Sequence, residues 1–102
     1  ELKFQRCLLN DASFYGLTLN ELVLDECRVH DADFREGNFA DSKMTLCTFD
    51  RSLFMHTNLE RVDFSDSTGC SIDVLANELK GATFSSFEAV HLLESLGIVL
   101  VD

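Results

Sequence analysis

From Phe4 onward a large apolar residue recurs at every fifth position: Phe4, Leu9, Phe14, Leu19, Leu24, Val29, Phe34, Phe39, Met44, Phe49, Phe54, Leu59 and Phe64, without exception. Two positions before each comes a second series, from Leu2 and Cys7 to Thr57 and Val62, in which small residues predominate. Between Glu1 and Lys80 every Asp, Glu, Lys and Arg falls on one of the other three positions of the quintet. A helix needs apolar residues at i, i+3, i+4 and i+7, and a half-buried strand needs strict alternation. A period of five drifts around a helix and never builds one apolar face. A solenoid fits instead. Each quintet forms one side of a coil, both series point inward, and stacked coils bury a column that no coil could hold alone.

Quintets such as "ADFRE" (32–36), "TNLER" (57–61) and "VDFSD" (62–66) resemble those of the pentapeptide-repeat proteins: a small residue, Asp or Asn, Leu or Phe, then two polar residues. The resemblance runs unbroken from residue 2 to 66. It implies an all-β solenoid, a right-handed quadrilateral β-helix with four quintets per coil, and about four coils here. A twenty-residue coil sorts the core into stacks: Phe4, Leu24, Met44, Phe64; then Leu9, Val29, Phe49; then Phe14, Phe34, Phe54; then Leu19, Phe39, Leu59. Neighbouring coils are expected about 4.8 Å apart, a separation at which Phe rings stack with an offset.

The period breaks at Gly69 and resumes with Ile72 and Val74, Asn77 and Leu79, Ala82 and Phe84. Residues 1–84 are therefore expected to form the β-helix, with 67–84 as an irregular last coil. Residues 85–102 read as a cap. "SSFEAVHLLESLG" predicts a helix, with Ser85 as N-cap, Glu88 as its capping-box partner and Gly97 as C-cap. Its apolar residues cover more than half the circumference, which predicts two contacts: the open end of the solenoid and a second subunit. "IVLV" (98–101) predicts a short strand buried on both sides. A homodimer through Phe87, Val90, Leu92, Leu93, Leu96, Ile98 and Leu100 is expected, the alternative being a thick cap on a monomer.

The chain carries 18 acidic and 8 basic residues, a net charge of −10. That argues against direct binding to nucleic acid or to an anionic membrane surface. No apolar run is long enough to span a bilayer, and no signal-peptide pattern is present. The four cysteines are then expected to be reduced thiols in a cytoplasm. Negative charge concentrates early, at Glu21, Asp25, Glu26, Asp31, Asp33, Glu36 and Asp41.

Cys27-x-x-His30 has the look of half a metal site. The repeat phase argues otherwise. Cys7, Cys27 and Cys47 share the small inward column, whereas His30 follows the large inward Val29 and should point outward. The two cannot share a tetrahedral ion. Cys70 is out of phase and is expected to be exposed. No catalytic or phosphate-binding motif occurs, and a rod without insertions is expected to offer no pocket, so neither catalysis nor a cofactor is expected.

The tail, "EAVHLLESLGIVLVD" (88–102), is similar to the C-terminus of the Qnr-type quinolone-resistance proteins. That branch implies a dimeric, acidic rod that resembles B-form DNA and binds DNA gyrase or topoisomerase IV, protecting it from quinolones. The alternative is a scaffold module with another partner. Qnr-type chains are about twice as long and carry projecting loops, and this chain starts at Glu1. It is expected either to be the C-terminal half of a longer protein or not to bind gyrase.

Overall fold

The computed structural model describes residues 2–101. Three short strands, β1 (Lys3–Gln5), β2 (Val23–Asp25) and β3 (Lys43–Thr45), form a parallel sheet in the order β1-β2-β3. Phe4 pairs with Leu24, and Leu24 with Met44. Elsewhere, isolated parallel bridges join residues of the same twenty-residue spacing: Leu8 to Arg28 to Thr48 to Thr68, and Thr18 to Asn38 to Asn58 to Glu78. The spacing expected from the repeat is thus the pairing register.

The corners explain how a chain without proline turns so often. The residue before each small inward position has a positive φ, from Arg6 (52°) and Asp11 (63°) through Glu36 (60°) to Asp66 (60°), with Gly16 at 67°. At several corners the next N–H closes on the carbonyl three residues back, as Ala12 does on Leu9 (3.3 Å) and Ser52 on Phe49 (3.0 Å). This is the geometry of a turn that needs a left-handed third residue. Twelve of the corners are not glycine, each at a cost of about 1–2 kcal/mol. Burial of the inward side chains offsets it.

Inside, Phe34 stacks between Phe14 (4.9 Å, 6°) and Phe54 (4.8 Å, 4°), and Phe39 and Phe49 meet it edge-on. The first coil has a neighbour on one side only. Of its large inward residues only Phe14 is buried, while Phe4, Leu9 and Leu19 are half-buried. The small column supplies a second ladder. The Ser52 hydroxyl accepts from the Ala32 N–H (3.1 Å) and donates to the Val29 carbonyl. Ser42, Ser67 and Cys47 make equivalent pairs of bonds, and the Thr57 hydroxyl donates to the Phe34 carbonyl (2.9 Å). These are backbone groups that the corners turn away from the strand ladder.

The last coil departs from expectation in a narrower stretch than 67–84. Thr48 still pairs with Thr68, and Asn58 with Glu78. Only the side between them leaves the lattice, from Gly69 (φ 75°) to a 3-10 turn at Val74–Ala76. Ile72 and Val74 keep the sequence phase but not the ladder. Ile72 holds the repeat position of Ala12, Ala32 and Ser52 and is buried at 3%, off the ladder. Cys70, expected exposed, is buried at 2%.

Helix α1 (Ser86–Glu94) lies over this side. Ser85 is its N-cap and accepts from the Glu88 N–H (3.3 Å), as expected. The Glu88 side chain does not complete a capping box. It is buried and accepts from the Cys70 N–H (3.1 Å). The helix ends at Ser95, two residues before the expected Gly97, whose positive φ (79°) closes the final turn instead. Ile98–Val101 is not a strand in the single chain. It has no ladder partner among the described residues, and Val99 and Val101 are 86% and 90% exposed.

Candidate functional site

The seven acids of the early coils do not form one open array. Asp31 holds Arg51 of the next coil through two bonds (2.9 and 3.0 Å), and Asp41 holds Arg61 likewise (2.6 and 3.2 Å). Asp33 is forked to Arg35 in its own quintet (3.0 and 2.9 Å), and Glu36 contacts His56 Nδ1 at 2.9 Å. The arginine bonds hold the carboxyls of Asp31, Asp33 and Asp41 below the ordinary carboxylate value. Glu21, Asp25 and Glu26 form no ion pair among the described residues; Asp25 accepts from the Gln5 amide (3.1 Å). These three sit together along β2 and the corners that flank it. The cross-coil pairs were legible once twenty residues was taken as the coil length, because Asp31 and Arg51, Glu36 and His56, and Asp41 and Arg61 each share a corner column.

Cys27 and His30 lie on opposite sides of the backbone, as the phase required. Cys27 is buried, and its Sγ donates to the carbonyls of Phe4 and Asp25. His30 Nε2 lies 2.9 Å from Thr48 Oγ1 and 3.8 Å from Asp50. Burial pushes the Cys47 thiol up to about 11 and raises that of Cys70. Both thiols are buried in the core, where burial favours the neutral form.

The rod does have a cleft, contrary to expectation. An open groove of about 1010 Å³ runs between α1 and the third coil. Leu53, Met55 and Ile72 form its apolar floor, with Arg51, Glu88 and His91 among its polar residues. The departure of residues 69–76 from the lattice opens it, and no sequence motif marks it.

Of the residues assigned to a dimer, Phe87 (73% exposed), Val90, Leu93, Leu96, Ile98 and Leu100 are exposed, and Leu92 is half-buried against the core. α1 therefore covers the coil with Glu88, Ala89 and Leu92 and turns Phe87 and Val90 outward. No helix among the described residues is long and apolar enough to cross a membrane.

No curated protein matches the sequence. Among solved structures, a trypsin-treated form of QnrB1, a plasmid-mediated fluoroquinolone resistance protein, is similar with a TM-score of 0.75 at 24% identity, over 92% of this chain and 45% of its own. Full-length QnrB1 is similar with a TM-score of 0.57 at 17% identity, over 93% and 68%. The chain thus spans less than half the length of the first of these structures, and at such identities the likeness concerns the fold. The pentapeptide repeat region profile matches residues 1–64. Five-residue periodicity, twenty-residue parallel register and that profile agree: the chain belongs to the pentapeptide-repeat family, whose fold is a right-handed β-helix.

Proposed function

We propose that this protein is a non-enzymatic interaction module: a four-sided β-helix of about four coils that dimerises through α1 and presents acidic surface to a basic protein partner. The twenty-residue register and the nearly equal transverse extents of 24 and 23 Å support the four-sided form. The outward apolar face of α1 supports the dimer. DNA gyrase or topoisomerase IV is the partner we favour, with DNA mimicry and protection from quinolones as the mode of action. The observation that carries this reading is the run of acids without an ion-pair partner at Glu21, Asp25 and Glu26 on a rigid corner. Charge of one sign steers a basic surface and fixes its register.

A supercoiling assay at low and high salt tests it. Inhibition, or rescue from drug, is expected at low salt and weakens as salt screens the field. Glu21→Gln, Asp25→Asn and Glu26→Gln together weaken it by about tenfold or more. Replacing the pair Asp31→Asn with Arg51→Gln changes no net charge and leaves it nearly intact. No effect on the enzyme at any salt sinks the topoisomerase reading. A scaffold with another partner is then favoured, and the internal pairing of Asp31, Asp33, Glu36 and Asp41 already leans that way.

A further inference from the structure

Parallel ladders leave few backbone groups unused along a coil. On the side that ends at residue 56, the Asp11 N–H bonds the His30 carbonyl (2.9 Å) and the Asp31 N–H bonds that of Asp50 (3.0 Å). Phe14 bonds Asp33 (2.7 Å), and Phe34 bonds Leu53 (2.9 Å). The Ala12 carbonyl accepts from Asp33 (3.0 Å), and that of Ala32 from Leu53 (2.8 Å). One coil further all three bonds are missing. The Arg51 N–H, the Phe54 N–H and the Ser52 carbonyl have no hydrogen-bond partner among the described residues.

The segment due to pair there leaves the lattice from Gly69 (φ 75°), and the Cys70 N–H bonds the Glu88 carboxylate instead (3.1 Å). Arg51, Ser52 and Phe54 instead line the groove beside α1. An apolar groove with an unpaired strand edge along one wall is a receptor for an added strand.

The same chain carries a segment of the complementary kind. Ile98, Val99, Leu100 and Val101 are consecutive, apolar and exposed at 44, 86, 45 and 90%, with no backbone hydrogen bond among the described residues. They follow shortly after Ser95, which itself lines the groove, yet their own chain leaves them in solvent. We infer that the groove receives Ile98–Val101 from a second copy, as a strand added along Arg51–Met55. A two-fold exchange gives each copy one tail and one groove, so both open edges close at once. Alternate tail residues meet Leu53 and Met55, and the others face α1. This rests on the dimer proposed above and adds what the tail and the groove do in it.

Hydrogen exchange on the full chain, read residue by residue across a concentration series, tests the exchange of tails. The Arg51 and Phe54 amides should exchange at least about tenfold more slowly where light scattering reports a dimer. Dilution should remove that protection, as should Val99→Asp combined with Val101→Asp, at sites too exposed to disturb the monomer. Mixed-label NMR should place the Val99 methyls of one copy near the Leu53 methyls of the other. A dimer whose Arg51 and Phe54 amides exchange freely overturns the placement of the tail and leaves the α1 dimer standing. Protection that persists at every concentration assigns the groove to the chain's own tail and overturns the second copy. A monomer throughout overturns both.

Discussion

The Glu88 carboxylate accepts a hydrogen bond from the Cys70 backbone N–H at 3.1 Å, with both residues about 2% exposed. This contact ties the cap to the side of the coil that leaves the lattice. Glu88→Gln keeps an acceptor oxygen and should change stability little. Glu88→Ala leaves a buried N–H unpaired and should cost about 1–3 kcal/mol in urea unfolding. Equal effects of the two would mean that the bond contributes nothing.

Phe34 stands between two stacked rings at 4.9 and 4.8 Å, with no solvent exposure. Phe34→Ala should cost about 3–5 kcal/mol. His30→Ala removes a contact to Thr48 on the outside and should cost under about 1 kcal/mol. Denaturant midpoints of the two variants give the comparison, and a more damaging His30 change would mean the inward phase is misassigned.

Ser52 ties its coil to the preceding one through one hydroxyl, which accepts from the Ala32 N–H and donates to the Val29 carbonyl. Ser52→Ala keeps the volume nearly constant but strands both groups, at a cost of about 1–3 kcal/mol. Exchange of the Ala32 amide should quicken more than that of its neighbours.

Leu46 holds φ at 57° with 53% of its surface exposed. Asn tolerates that conformation and Val does not. Leu46→Asn should stabilise by roughly 0.5–1 kcal/mol, and Leu46→Val should destabilise by more than that gain. A reversed order of melting temperatures would remove the corner argument.

Two pH limits follow from the shifted groups. Asp31, Asp33 and Asp41 titrate below their ordinary 3.8 because arginine binds the ionised form. Their contribution is complete above that value and is lost as pH falls through the lower folded value. All three are solvent-accessible pairs, so the acid decline should be shallow. Cys47 is raised from 9.0 to about 11 by burial. Its neutral form belongs to the fold, so stability is complete below pH 9.0 and declines toward 11. Melting curves of Cys47→Ser, which copies Ser67 in the same column, should lack that part of the alkaline decline.

The repeat made most of the coil legible before any coordinates. A residue such as Phe34 or Cys27 has its direction set by its place in the quintet, and its neighbours lie at a constant offset. Local pattern and tertiary contact are then the same information. Even the Asp31–Arg51 pair follows from that offset. Counting charge along the chain does not show that Asp31, Glu36 and Asp41 pair down the columns.

Sequence alone therefore determined the inward stacks, the twenty-residue register and the N-cap at Ser85. Each depends on periodicity or on a few adjacent residues. Only the tertiary structure decided what the chain does where the period breaks at Gly69. Ile72 reads as in phase, yet from Gly69 to Ala76 the chain leaves the ladder. That departure buries Cys70, turns Glu88 from a cap partner into a core acceptor, and opens the groove with its unpaired Arg51 and Phe54 amides. The Cys70–Glu88 bond joins the last coil to the cap, a contact between two elements that no local window of sequence contains.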